Sequence, residues 1–187
     1  MRYDLPIRCS ERVSCDMPPI EEYGLRVLQI VPESIVDGEG LRYSIYLAGC
    51  IHACPGCHNP ESWNPRAGRL LTESMLQGFI ERIRSNVMLD GVTLSGGDPF
   101  YRPQGLSELL KRIKSATGLN IWCYTGYTLE ELLAKEELRA PLPYIDVLVD
   151  GRYVAAERDP DLAFRGSRNQ RIIYEPWRAL CPNGGGE

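Results

Sequence analysis

Short apolar runs alternate along this chain with segments whose apolar residues recur at helical spacing, and that alternation restricts it to a sheet crossed by helices. Leu25-Arg26-Val27-Leu28-Gln29-Ile30-Val31 reads as a first strand. Tyr43-Ser44-Ile45-Tyr46-Leu47, reached through the glycine-bearing Asp37-Gly38-Glu39-Gly40, reads as a second. Met75, Leu76, Phe79, Ile80 and Ile83 share one face of a helix opened at Thr72-Glu73-Ser74, and the strand Gly91-Val92-Thr93-Leu94 follows, ending at Ser95-Gly96-Gly97-Asp98-Pro99. A further helix carries Leu106, Leu109, Leu110 and Ile113. Leu119 to Tyr124 reads as a strand, Leu129, Leu132 and Leu133 as a short helix, and Ile145 to Val149 as a buried strand. This order predicts a largely parallel sheet with right-handed crossovers, whose post-strand loops gather along the edge where α/β folds bind ligands. The 187 residues fall short of the about 250 that a closed eightfold barrel uses, so the expectation is an open or partial (βα) TIM-like barrel of mostly parallel strands.

One domain is the economical reading of that length. Residues 1–23, without periodicity, read as an N-terminal extension, 24–178 as the domain, and 179–187, ending in Gly-Gly-Gly-Glu, as a flexible tail. A balance of 21 basic against 25 acidic residues, net charge −4, contains no long block of either sign, so electrostatics gives no case for nucleic acid or an anionic membrane. The start lacks an uninterrupted apolar stretch and no run of 18 apolar residues follows, which leads to the expectation of a soluble, cytoplasmic protein.

Three of the seven cysteines stand in Gly49-Cys50-Ile51-His52-Ala53-Cys54-Pro55-Gly56-Cys57-His58-Asn59-Pro60, directly after the second strand. Their spacing is that of metal ligands rather than of loop-stapling disulfides, which favours a reducing compartment. Iron–sulfur cubanes normally take four thiolates and structural zinc four protein ligands, so a triplet with no fourth cysteine nearby implies a centre with one position open to something other than protein. Zinc completed by His52 or His58 is the alternative.

The ordered set Val36-Asp37-Gly38-Glu39-Gly40-Leu41-Arg42, the cysteine loop through Trp63, Leu94-Ser95-Gly96-Gly97-Asp98-Pro99, Tyr124-Thr125-Gly126-Tyr127, and Val149-Asp150-Gly151-Arg152-Tyr153 with Phe164-Arg165-Gly166-Ser167-Arg168-Asn169-Gln170 carries a resemblance. It resembles the radical S-adenosylmethionine enzymes and, within them, the branch that activates anaerobic ribonucleoside-triphosphate reductase, from about residue 25 to 174. The resemblance implies that Cys50, Cys54 and Cys57 hold a [4Fe–4S] cluster whose fourth iron is chelated by the amine and carboxylate of S-adenosylmethionine. It implies further that one-electron cleavage of that cofactor produces a glycyl radical on a large partner, the anaerobic ribonucleotide reductase, with a flavodoxin- or ferredoxin-like electron donor. No protein acid or base is needed for the cleavage, so the chemistry rests with the cofactors. By the same resemblance Gly56, Cys57 and His58 line the cofactor through their backbone. Gly96 and Gly97, lacking Cβ, let the backbone approach its methionine end, and Asp98 accepts from the ammonium group. Many members of the superfamily carry an aromatic residue where this chain has Gly56, which leaves adenine stacking to another residue.

Thr125-Gly126-Tyr127 reads equally as a helix-entry turn or a cofactor edge. Arg165, Ser167, Asn169 and Gln170 read as a solvated polar face, with a partner contact as the alternative. Cys123 behaves as a small hydrophobe in its strand, and Cys9, Cys15 and Cys181 carry no assignment. Two rival functions remain: an activase of another glycyl-radical enzyme, of the pyruvate formate-lyase type, and a non-catalytic iron–sulfur or zinc module.

Overall fold

A computed structural model of the chain describes residues 18–180. Cys9, Cys15, Cys181 and most of the extension and tail lie outside those residues. Seven strands form one sheet: β1 (Arg26–Ser34), β2 (Arg42–Leu47), β3 (Arg69–Leu70), β4 (Gly91–Gly96), β5 (Asn120–Tyr124), β6 (Val147–Asp150) and β7 (Arg171–Tyr174), in the order β3-β1-β2-β4-β5-β6-β7. β2, β4, β5 and β6 run parallel, while β1 pairs antiparallel with β2 and with β3, and β7 antiparallel with β6. The crossovers between parallel neighbours carry α1 (Glu73–Ser85), α2 (Pro103–Thr117), and the short α3 (Leu129–Leu133) and α4 (Glu136–Arg139).

The expected alternation and openness are therefore present, whereas a TIM-like barrel is not established. Strand pairing gives an open mixed sheet with β3 and β7 as its edges, not a closed (βα) ring. The reason lies in the connections. Only three parallel steps are made, and both flanks are finished by returning strands that need no helical crossover, which ends the parallel progression a barrel requires. Neither β3, two exposed residues long, nor β7, whose four residues include exposed Arg171 and Tyr174, carries the continuous apolar run that marks a buried strand.

Side-chain alternation gives the sheet two unlike faces. Tyr43, Ile45, Leu47, Val92, Leu94, Ile121, Cys123 and Leu148 pack with Leu76, Phe79, Ile80, Leu106, Leu109 and Ile113 of the helices into the main core. Ile20 belongs to the same core at 0% exposure and its amide donates to Glu73 Oε1, so the packed fold starts ahead of residue 23. The opposite face is hydroxylic and charged over β2 and β4, and over β5 and β6 it carries a second apolar cluster of Trp122, Val147 and Val149. Arg42, 1% exposed, donates to Thr93 Oγ1, Asn120 Oδ1 and the carbonyls of Glu39, Val92 and Asn120, and its guanidinium sits 5.7 Å from the Trp122 ring. Burial pulls that guanidinium down to about 10, with Asp90 the largest opposing influence, yet it stays charged at neutral pH. The segment from Ile35 to Gly40 folds over this face: Asp37 Oδ2 accepts from Ser34, Ser44 and Tyr46, and a Cβ on Gly38 would stand 2.7 Å from the Trp122 ring.

At the β7 edge, Arg171 bridges the buried Asp150 and the exposed Glu130. Hydrogen bonding to Arg171 holds the Glu130 carboxyl down at about 2, below its ordinary 4.5. A carboxyl lowered on folding stabilises the fold above its unfolded pKa and loses that contribution as pH falls from 4.5 towards 2. Because Glu130 is 67% exposed, solvent screening limits the effect to under about 1 kcal/mol. Urea midpoints measured from pH 7 to pH 2 should show Glu130→Gln slightly less stable at neutrality and converging on wild type in acid.

Candidate functional site

β2, β4, β5 and β6 end on one edge, and the loops leaving them converge there. The β2 loop carries Cys50, Cys54 and Cys57, all partly exposed and free. Its entry is fixed by backbone bonds from Gly49 N–H to the Ser62 carbonyl and from Cys50 N–H to the Trp63 carbonyl, and its interior by Cys57 N–H to the Cys54 carbonyl. Ala53 takes φ +44°, a left-handed conformation that costs about 1 kcal/mol or more outside glycine and persists where the surroundings over-determine it. Burial pushes the Cys50 thiol up, while the backbone amides of His52 and Ala53 donate towards its sulfur and pull the other way. Amides aimed at a sulfur suit a metal-bound thiolate.

Asp98 is the centre that joins the loops. Its side chain is 1% exposed and its carboxylate accepts from four groups. These are Phe100 N–H at 2.9 Å, Thr125 Oγ1 at 3.1 Å to each oxygen, Gly126 N–H at 3.0 Å and His52 Nε2 at 2.6 Å. One carboxylate thus ties the cysteine loop to the loops after β4 and β5. The His52 imidazole, 2% exposed, lies edge-on to Tyr127 at 4.6 Å and presses so closely on Gly126 that a Cβ there would stand 2.3 Å from its Cδ2. Its other nitrogen, Nδ1, is buried without a partner among the described residues.

This arrangement adds protein contacts to the residues the sequence singled out. Both oxygens of Asp98 accept from protein donors. Gly96 and Gly97 lie against backbone: a Cβ on Gly96 would meet the Leu47 carbonyl at 2.4 Å, and one on Gly97 the Gly49 carbonyl at 2.5 Å. Thr125-Gly126-Tyr127 is neither turn alone nor cofactor edge alone, since it clamps Asp98 and the His52 ring. At Gly56, φ +75°, an added Cβ would stand in ordinary contact with Ala155 Cβ at 3.4 Å and Tyr153 Cε1 at 3.6 Å, and His58 is exposed. Tyr153 belongs to the motif after β6, but no spacing rule places its ring beside Gly56.

Arg165, Ser167, Asn169 and Gln170 staple their own loop. Gln170 Oε1 accepts from the Gly166 and Ser167 amides, Asn169 donates to the Arg152 carbonyl, and Ser167, 0% exposed, accepts from Val154 N–H. Asn169 stays exposed, and Arg165 and Gln170 are half-buried. Beside this loop a cavity of about 490 Å³ opens over the hydroxylic sheet face, lined by Asp37, Ser95, Tyr124, Phe164, Arg165 and Gln170 and lipped by the exposed Ile35 and Val36. Burial raises the Tyr124 and Tyr46 phenols above their ordinary range, so both remain neutral hydroxyls.

Among the described residues no three His, Cys, Asp or Glu side chains stand close enough to grip a single ion. A cubane sets its thiolates farther apart than one ion does, and three thiols on one strand-end loop with amides turned to sulfur fit that wider group. The chain matches, over residues 36–173, the family described as a 4Fe-4S single cluster domain. It is 42% identical over 153 residues to the anaerobic ribonucleoside-triphosphate reductase-activating protein of Haemophilus influenzae, covering 79% of this chain and 97% of that one. The protein of the same name from Pasteurella multocida is 43% identical over 155 residues, with 80% and 97% covered. That from Escherichia coli K12 is 39% identical over 151 residues, with 78% and 96% covered. The chain belongs to the anaerobic ribonucleoside-triphosphate reductase-activating protein family. Membership in this family of activating enzymes favours an iron–sulfur cluster over the zinc alternative and decides against a purely structural module. Among the described residues no helix is long and apolar enough to cross a membrane.

Proposed function

We propose that the protein activates anaerobic ribonucleotide reductase as a radical S-adenosylmethionine enzyme. The observation that carries this reading is the three-thiol loop at the parallel edge of a chain that aligns with the reductase activators over most of its length. Cys50, Cys54 and Cys57 would hold a [4Fe–4S] cluster with one iron free for the amine and carboxylate of S-adenosylmethionine. When bound, the cofactors supply an electron, delivered by an external flavodoxin- or ferredoxin-like donor, that splits the sulfonium into methionine and a 5′-deoxyadenosyl radical able to take a hydrogen atom from a glycine of the reductase.

The chain's own residues bind, orient and exclude water. The amides of His52 and Ala53 favour the thiolate form of Cys50 against the burial that opposes it. Gly56, Cys57 and His58 line the cofactor from the loop, and Gly96 and Gly97 hold that loop against β2 and β4 by fitting under Leu47 and Gly49. Asp98 acts through the groups it fixes. Ile35, Val36 and the cavity behind them would offer a reductase segment a place to dock on the same side of the sheet as Ser95 and Tyr124.

Reconstituted protein, a reductant, S-adenosylmethionine and the reductase should together give a glycyl-radical EPR doublet, with 5′-deoxyadenosine formed in step. Formation of 5′-deoxyadenosine with no doublet on the reductase would remove the partner from this reading. Iron-bearing protein that forms none would remove the radical chemistry.

A further inference from the structure

The turn that follows the cysteine loop is basic in an acidic chain. Between Cys57 and Thr72 one carboxylate, Glu61, stands against Arg66 and Arg69, where the whole chain has net charge −4. Both arginines are exposed, and neither side chain has a hydrogen bond or ion pair among the described residues. Half-buried Arg26 joins them: its Nε donates to the Ala67 carbonyl at 3.0 Å and its Nη2 to the Gly68 carbonyl at 2.7 Å, which plants a third positive charge between positions 66 and 69. The acids beyond this turn are engaged elsewhere, since Glu73 grips Arg112, Glu21 accepts from Glu73 N–H and Glu22 lines a groove with Arg102. Like charges gathered without a counter-charge repel one another, and an anionic partner relieves that repulsion. The cluster is tied to the root of the cysteine loop on both flanks. The Arg26 carbonyl accepts from Ala48 N–H at 2.9 Å, two residues ahead of Cys50, and the Trp63 carbonyl, three residues ahead of Arg66, accepts from Cys50 N–H at 3.3 Å. Three residues span at most about 11 Å. Leu70, 38% exposed, and the exposed Pro65 add apolar surface beside the charges. The patch also stands clear of the cavity: Arg26 opens β1 and Ser34 closes it just before Ile35 and Val36, and a strand of that length separates its two ends by about 25 Å.

We propose that the edge formed by Arg26, Arg66 and Arg69 is the docking surface for an acidic flavodoxin, the carrier that delivers the electron. The inference rests on the reading that the cysteine loop holds a cluster reduced from outside. The positive edge complements a carrier whose surface is anionic, and Leu70 and Pro65 suit the apolar dimethylbenzene edge of a flavin ring. One electron leaves the reduced flavin and arrives at the cluster, and no bond is made or broken. An exposed rim of guanidinium groups sets how fast such a carrier arrives and how steeply salt slows it. Because the cavity lipped by Ile35 and Val36 lies at the other end of β1, carrier and reductase bind at once without competing.

The test compares two electron sources. Arg66→Glu with Arg69→Glu reverses two exposed charges and leaves in place Arg26, whose guanidinium holds the turn. For cluster-loaded protein and oxidised flavodoxin at low ionic strength, where no electron moves, the Kd should rise about tenfold or more, and the fall of wild-type affinity with added salt should flatten in the variant. Formation of 5′-deoxyadenosine driven by reduced flavodoxin should drop by a similar factor, while dithionite, a small reductant that needs no docking surface, should drive both proteins alike. Arg84→Glu with Arg139→Glu makes the same change of net charge on exposed residues of α1 and α4 and should behave as wild type. Equal flavodoxin Kd values in the wild type and the Arg66/Arg69 variant, an equal loss in the Arg84/Arg139 variant, or a dithionite rate that falls in step with the flavodoxin rate would each overturn the proposal. A ferredoxin that binds at this edge where flavodoxin does not would overturn it as well. Should the charge-reversed protein fail to retain iron, Arg66→Gln with Arg69→Gln decides by the same comparison, with an expected rise in Kd of about threefold. Wild-type protein that holds iron and sulfide but forms no 5′-deoxyadenosine with dithionite sinks the functional reading and this inference together, whereas flavodoxin binding indifferent to the arginines sinks the inference alone.

Discussion

Purified without oxygen, a Cys54→Ala protein is expected to be folded and colourless, and to form neither 5′-deoxyadenosine nor a glycyl radical. The side chain is partly exposed on a loop that contributes nothing to the main core, so deleting its sulfur should cost under about 1 kcal/mol of stability. Activity should fall on the order of a thousandfold or more, because two thiolates leave the cluster unsupported and no protein group replaces its chemistry. Cys123 provides the contrast. Fully buried in β5, its thiol is pushed well above the ordinary range by burial, so it stays protonated and apolar. Cys123→Ala should lower the unfolding midpoint and leave the iron content intact. Iron and sulfide assays beside circular dichroism separate the two patterns, and a Cys54→Ala protein that keeps a full cluster would remove Cys54 from the ligand set.

Asp98→Asn should damage the site more widely than its single atom of difference suggests. The amide oxygen can still accept from Phe100 N–H and Thr125 Oγ1, but the amide nitrogen then points at Gly126 N–H, donor against donor. Stranding that buried amide costs about 1–3 kcal/mol. His52 can adapt by giving up its Nε2 proton and accepting from the new amide, which moves the proton to Nδ1. With Gly126 N–H stranded, the tie between the cysteine loop and the loop after β5 is weakened, so the unfolding midpoint should fall and reconstituted iron should be retained less firmly. Thermal unfolding together with iron and sulfide assays checks both effects. An Asp98→Asn protein with unchanged stability and iron content would show that the carboxylate is dispensable.

The strands and helices of the parallel centre were legible because each buries one continuous apolar set: Tyr43, Ile45 and Leu47 alternate into the core, and Leu106, Leu109, Leu110 and Ile113 repeat at helical spacing. The flanks were not. β3 is two exposed residues, and β7 is held by pairing with β6 and by Arg171 at Asp150 rather than by a pattern of its own. Their antiparallel course is what ends the parallel run at both edges of the open sheet. At the site, the cysteines announce themselves because ligand spacing is local. The Asp98 connections are not local, joining residues 46, 27 and 28 positions apart. A local signal did exist for part of it: Asp-Pro-Phe is a helix-start pattern, and Asp98 does cap the turn at Pro99–Tyr101. What no spacing could reveal is that the same carboxylate has oxygens enough for two distant loops. Nor could spacing reveal that the two glycines before it lie against the backbone of Leu47 and Gly49.

Because His52 fits only against a residue without a side chain at 126, and keeps its tautomer only beside a carboxylate at 98, these three positions cannot drift independently. A descendant that exchanges the imidazole for another group frees Gly126 to become larger and Asp98 to become neutral, while one that alters either of those first inherits a misfitting ring. In a family of such proteins, the three columns should change in concert, as one inherited character dispersed over three separate stretches of chain.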